Sequence, residues 1–176
     1  MAARNHGGIV IAQVKELSEE PAHPHDVIVP GVMVDYIVVA ETPEAHPHTL
    51  FVQRDPSYTG EVRVDLSDEL KHLPLNTDKV ICRRAAQELK PGMVVNLGIG
   101  IPMSVAHVAC EWDILDKVTL TTEVGIFGGL PQGGKNFGPS KNPSAFMNQA
   151  FMFDYYDGGG LDLTCVGMAQ VDRDGN

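Results

Sequence analysis

The stretch from Met93 to Thr122 constrains the fold more than any other. It reads MVVNL, then GIGIP, then an apolar run from about Pro102 to Leu115, then VTLTT from Val118. MVVNL is too short for a helix and suits a strand buried on both faces. Two glycines turn the chain. Pro102 suits the first turn of a helix, where its φ is already helical and a missing N–H costs nothing. Strand, glycine turn, helix, strand is a βαβ unit, which predicts a parallel pair joined by a right-handed crossover. A further helix precedes it. Asn76 or Thr77 caps a run from Asp78 to Leu89, with Val80, Ile81, Ala85 and Leu89 on its apolar side, and Lys90-Pro91-Gly92 stops it. The fold class expected is α/β, an open and mostly parallel sheet flanked by helices.

Glycine divides the chain, with 4 of its 18 glycines before residue 91 and 14 after it. The earlier part reads as short strands at Ile9 to Val14, Asp26 to Val29 and Val34 to Ala40, rich in Val and Ile and bounded by Pro and Gly. Residues 41–60 carry Pro43, Pro47 and Pro56 without a sustained period, as expected of an irregular connection near a domain junction. Leu163 to Val171 reads as a strand leading into the Asp-Gly turn of DRDGN. The sequence enters a strand almost at once and stops at that turn, so both ends are expected to be cut from a longer chain.

The formal net charge is −10, made of 9 basic and 14 acidic groups over residues 1–90 and 4 and 9 over residues 91–176. An acidic chain without clustered Lys and Arg is not built for nucleic acid or an anionic membrane surface. No apolar run reaches the ~18–20 residues of a membrane span, and MAARNHGG lacks the apolar stretch of a signal peptide. Cys82, Cys110 and Cys165 are widely spaced, without a CxxC pair, as expected of reduced thiols in a cytoplasmic protein.

Glu123 is the residue of greatest chemical interest. It ends a predicted parallel strand, where open α/β sheets place ligands, and Gly125, Gly128 and Gly129 follow it. A carboxylate there can be a nucleophile, a general base, or a solvent-facing side chain. Gly98, Ile99, Gly100, Ile101 and Pro102 lie between a strand and a helix N-terminus, which favours an anion such as phosphate or simply makes a tight turn. GLPQGGKN at 129–136 satisfies GxxxxGK. However, Asn136 stands where a P-loop has Ser or Thr, and Gly138, Pro139 and Pro143 follow where it needs a helix. A mobile glycine loop, with Lys135 or Lys141 available to an anion, is expected instead. The tetrads HPHD (23–26) and HPHT (46–49) read as extended surface loops, and Asp154, Asp157 and Asp162 as polar residues around a glycine turn. No metal site is expected.

TTEVGIFGG, preceded by VNLGIGIP and followed by FDYYDGGGLDLTCVGMAQVDRDGN, resembles the single-chain family I CoA-transferases of the propionate or acetate type. AARNHGGIVIAQV and VPGVMVDYIVVAE resemble the closing strands of that family's N-terminal half, and RRAAQELKPGMVVNLGIGIP the opening of its C-terminal half. The resemblance implies three parts: 1–56 closing an N-terminal half, 57–77 a linker, and 78–176 opening the catalytic half. It implies Glu123 as a covalent nucleophile, with Gly98 to Pro102 and Gly125, Gly128 and Gly129 around coenzyme A. It also implies acyl-CoA and a carboxylate acceptor as substrates, with a short acyl group such as acetyl or propionyl. No metal or redox cofactor is implied, and the partner is a second copy or complementary segments of the same enzyme. Phe127 replaces an aliphatic residue of the family's Glu-x-Gly-aliphatic-aliphatic-Gly pattern. An acyl-CoA hydrolase on the same scaffold, or a non-catalytic chain that only assembles with partners, are the rival readings.

Overall fold

A computed structural model describes residues 2–175, which form two compact units, residues 2–54 and 55–175. The first unit holds a short helix α1 (Ala2–Asn5) and a parallel pair, β1 (Ile11–Val14) and β2 (Tyr36–Val39), in register from Ile11 opposite Tyr36 to Val14 opposite Val39. Asp35 fixes the approach to this pair, accepting the Val10 N–H at 2.9 Å and pairing with Arg4. All four residues of β2 are exposed. The strand expected at Asp26 to Val29 does not form. Pro24–Asp26 is a 3-10 turn, with the His23 ring accepting the His25 N–H, and Pro30 follows at once. Asp26 is held in the turn, Pro30 has no N–H to donate, and among the described residues no neighbouring strand pairs with this run.

In the second unit, helix α2 (Thr77–Ala86) is capped by Asn76, whose side chain accepts the Lys79 N–H at 2.9 Å. β3 (Val94–Leu97) leads through a 3-10 turn at Ile101–Ser104 into α3 (Val105–Glu111) and on to β4 (Thr119–Thr122), parallel to β3. The chain then reverses into β5 (Ile126–Phe127), antiparallel to β4. A small hairpin of β6 (Leu130–Pro131) and β7 (Ser140–Lys141) follows, then β8 (Ala145–Phe146) against β5. Helix α4 (Gln149–Tyr155) runs into a π-turn at Tyr156–Gly160, and β9 (Leu163–Cys165) pairs with β3 in parallel. The sheet order is β8-β5-β4-β3-β9. β9 ends at Cys165, short of the predicted Val171, because β3 offers no partner beyond Leu97. The turn after it closes with the Gly175 N–H on the Asp172 carbonyl at 3.2 Å, while Asn176 lies outside the described residues.

Alternation along the strands divides the sheet's two faces. Val95, Leu97 and Leu120 face α2 and α3 and pack with Cys82, Ala86, Leu89, Val105 and Val108. The buried stripe of α2 is therefore Cys82, Ala86 and then Leu89, whereas Val80 and Ile81, expected inside, are 56% and 48% exposed. Asn96, Thr121 and Glu123 have the opposite parity and face the α4 side. Residues 57–77, expected to be a linker, are a packed strap. Ser57 and Tyr58 are buried, Leu66, Leu70 and Leu73 pack against the core, and the Leu73 N–H reaches Glu111 at 2.9 Å. Lys79 closes the same corner with its ammonium 2.8 Å from Glu111.

Candidate active site

β4 ends one residue before Glu123, and the Gly125 N–H bonds back to the Thr122 carbonyl at 3.0 Å, so the carboxylate stands on a tight turn, half-buried. Asn96, from the neighbouring strand, donates through Nδ2 to Glu123 Oε2 and to the Thr121 carbonyl, both at 3.3 Å. Thr164 on β9 donates to Asn96 Oδ1 at 3.3 Å, so three parallel strands each supply one member of a line ending at Glu123. Thr121 is fixed separately: its hydroxyl donates to the Val95 carbonyl at 3.1 Å and accepts the Tyr156 hydroxyl at 2.6 Å. Burial pushes the Tyr156 phenol above its ordinary range, so it is a neutral donor at physiological pH. Glu123, Asn96, Thr164 and Tyr156, with Phe137, Phe153 and Gly98, border a cleft of about 480 Å³.

The predicted site residues separate into three places. Glu123, Gly98 and Ile99 line the cleft. Gly98 lies against β9, its N–H on the Cys165 carbonyl at 2.8 Å, and a β-carbon there would sit 3.2 Å from that oxygen. Ile101 and Pro102 line an adjoining apolar cavity of about 450 Å³, with Ile81, Cys82 and Met168, which meets the cleft along Ile99, Val166 and Gly167. Gly100, with φ +88°, makes the turn between them. Gly125, Gly128 and Gly129 instead press on the segment 141–147: β-carbons there would lie 2.0 Å from the Met147 carbonyl oxygen, 2.5 Å from the Ser144 hydroxyl and 2.1 Å from the Lys141 carbonyl oxygen.

Lys141 is not available to a ligand anion as expected. It pairs with Glu69 and lies 3.8 Å from Asp55, and the Glu69 bond holds its ammonium above the usual range. The segment expected to be a mobile glycine loop contains the β6–β7 hairpin, with Leu130 in the core, and no helix follows Lys135. Among the described residues no group of three or more His, Cys, Asp or Glu is placed to hold a metal, and no helix is long and apolar enough to cross a membrane. Burial raises the Cys82 and Cys165 thiols, so both are neutral at physiological pH.

Asn96, Tyr156 and Thr164 carry no motif or spacing that marks them in the sequence. The one signal is Asn96 itself, a polar side chain in the middle of an apolar strand. Asp162 serves the fold instead of the site, because its carboxylate accepts the Val94 N–H at 2.7 Å and anchors the start of β3.

No protein-family model matches the chain. It is 46% identical over 176 residues to a caffeate CoA-transferase of Acetobacterium woodii, covering 99% of this chain and 33% of that protein. It is 37% identical over 180 residues to the acetate CoA-transferase YdiF of Escherichia coli O157:H7, again covering 99% and 33%. The crystal structure of the acyl-CoA transferase YdiF apoenzyme superposes with a TM-score of 0.80 at 35% identity, over 98% of this chain and 31% of that one. A second structure of the same protein, described as a thioester complex with CoA, gives 0.78 at 34% identity, over 98% of this chain and 30% of that one. The chain thus spans about a third of the length of the curated relatives it matches. With that extent of identity and that superposition, the chain belongs to the CoA-transferase family, of the family I type.

Proposed function

We propose that Glu123 is the nucleophile of an acyl-CoA:carboxylate CoA-transferase. One oxygen of Glu123 attacks the thioester carbonyl of an acyl-CoA, and the tetrahedral oxyanion expels CoA thiolate, leaving an acyl-glutamyl anhydride. The thiolate attacks the Glu123 carboxyl carbon and expels the free carboxylate, giving a glutamyl-CoA thioester. An acceptor carboxylate then attacks this thioester and releases the thiolate, which attacks the acceptor side of the new anhydride. That yields the new acyl-CoA and regenerates Glu123. No step changes an oxidation level, and each exchanges one activated acyl group for another. The chemistry therefore calls for neither metal nor redox cofactor, and the protein contributes water exclusion and oxyanion stabilisation.

The observation that carries this reading is a half-buried carboxylate at the carboxyl end of a parallel strand, bordering a cleft, with a hydrogen bond to only one of its oxygens among the described residues. The YdiF thioester complex with CoA supports the covalent step. A short acyl group, acetyl or propionyl, is in keeping with the acetate in the YdiF name. A planar aromatic acyl group is favoured by Phe137, Phe153 and Tyr156 in the cleft wall and by the caffeate in the name of the 46% identical relative. Comparing kcat/KM for acetyl-, propionyl- and caffeoyl-CoA decides between them. Assembly with a complementary polypeptide is in keeping with the word subunit in the name of the acetate CoA-transferase subunit beta of Escherichia coli K12, 36% identical over 106 residues.

The test is intact-protein mass spectrometry after mixing with acyl-CoA and no acceptor, on the chain alone and with polypeptide supplying the rest of the family's length. A CoA-sized increase is expected, mapping to the Glu123 peptide and absent in Glu123→Gln. Turnover without the adduct, no adduct in either preparation, or near-normal activity of Glu123→Gln overturns the proposal.

A further inference from the structure

The geometry points to Asn96 as the residue that both selects which Glu123 oxygen attacks and stabilises the oxyanions formed on the Glu123 carboxyl carbon, with Thr164 setting the orientation of the Asn96 amide. This rests on the covalent reading of Glu123. An Asn side chain presents two donors on one side and an acceptor on the other, so its action depends on which way the amide is turned. Here both sides are fixed. Oδ1 accepts the Thr164 hydroxyl at 3.3 Å, and Nδ2 donates to the Thr121 carbonyl at 3.3 Å, which leaves the second N–H for Glu123 Oε2, also at 3.3 Å. A flipped amide would set its oxygen against the Thr121 carbonyl and the Glu123 carboxylate. Asn96 is itself nearly buried, at 9% exposure, so its dipole acts where water screens it little.

Following the atoms gives this bond a role in chemistry. With Oε2 held by Asn96, Oε1 attacks the acyl thioester and becomes the bridging oxygen of the anhydride. When CoA thiolate attacks the Glu123 carboxyl carbon, the negative charge develops on Oε2, and Oε1 departs with the acyl carboxylate. Oε2 is then the carbonyl oxygen of the glutamyl thioester. It carries the charge a second time when the acceptor carboxylate attacks. The same Asn96 N–H faces Oε2 throughout, and at 3.3 Å in the resting state it has room to shorten as the charge grows. Thr164 does not reach Glu123 and is a positioning residue that acts through Asn96.

The experiment measures single-turnover formation and breakdown of the glutamyl-CoA adduct by quenched-flow mass spectrometry, in the preparation in which the wild type forms it. Asn96→Ala and the isosteric Asn96→Asp should slow both steps by about 10²-fold, the usual loss on removing one oxyanion donor, with little change in KM. Thr164→Val, an exposed site that tolerates the change, should slow them less. The Asn96→Ala, Thr164→Val double variant should be no slower than Asn96→Ala alone, because the hydrogen bond by which Thr164 bears on Glu123 runs through Asn96. The infrared carbonyl band of the trapped thioester should move to higher wavenumber in Asn96→Ala as the carbonyl loses its donor. Wild-type rates in Asn96→Ala, additive losses in the double variant, or an unmoved carbonyl band overturns the assignment while leaving Glu123 as nucleophile. Absence of any adduct in the wild type overturns both.

Discussion

Gly125 follows Glu123 by two residues, and its replacement by Ala gives the sharpest test of how the site is held. A β-carbon at Gly125 would lie 2.0 Å from the Met147 carbonyl oxygen, where ordinary carbon–oxygen contacts begin near about 3.3 Å. The two backbones must therefore part by roughly 1.3 Å. They are joined by the Met147 N–H on the Gly125 carbonyl at 2.8 Å, and Gly125 adopts φ +110°, a region closed to L side chains. Losing that hydrogen bond and forcing the conformation should together cost about 2–4 kcal/mol. In a urea titration followed by the fluorescence of Trp112, the single tryptophan, this lowers the midpoint by roughly 1–2 M. Gly100→Ala is the control. Its φ is +88° but nothing lies within 4 Å of the new carbon, so only the conformational cost remains, about 1–2 kcal/mol. Moving the Glu123 turn by an ångström should also slow adduct formation by about 10²-fold in Gly125→Ala. Equal midpoint shifts in the two variants, or a Gly125→Ala protein with wild-type stability and rate, would refute the close-contact reasoning.

Three further outcomes follow from the packing. Hydrogen bonding by Lys79 holds the Glu111 carboxyl below its usual range, so its stabilisation is present above about pH 4.5 and lost as pH falls further. Glu111→Gln should cost about 2–3 kcal/mol in a urea titration at pH 7, and the cost should shrink steadily as the pH is lowered through and below the ordinary carboxylate range. Tyr156→Phe should cost about 1 kcal/mol by loss of the Thr121 bond. It should also remove, from an ultraviolet phenolate titration, a transition lying above the ordinary value of 10.0. Ile81→Lys should change the stability measured in urea by less than about 0.5 kcal/mol, whereas Cys82→Asp, which buries a charge in the core, should prevent cooperative unfolding.

What was legible in the sequence was local. The β3–α3–β4 unit could be read because Gly98, Gly100, Pro102 and the apolar runs mark every boundary within thirty residues. Glu123 could be placed because its strand end was marked in the same way. Asp26 to Val29 looked like a strand because β-propensity is a property of the run, while pairing depends on a neighbour the run cannot specify. The buried face of α2 differs from the expected one because Val80 and Ile81 are more apolar than Cys82, yet the strap and sheet meet the helix on the Cys82 side. Lys141 looked available because its partner Glu69 is 72 residues away. Asn96 stood out only as a polar residue in an apolar strand, and nothing in the sequence named its partners, which are 27 and 68 residues distant. Interactions closed over such distances leave no spacing to read.

β4 is the middle strand of five, and Thr121 is fastened on one face while Leu120 and Thr122 are buried on the other. Glu123, at its carboxyl end, is placed on the element whose amides should exchange most slowly with solvent, since opening them requires the whole unit to open. Fraying of the β6–β7 hairpin or of the exposed Gly133–Lys135 tip would leave Glu123 where it is. The adduct formation proposed for Glu123 should then be lost on heating at the rate of global unfolding of the second unit, with no earlier phase, and the residual adduct becomes a direct clock for the kinetic lifetime of the fold.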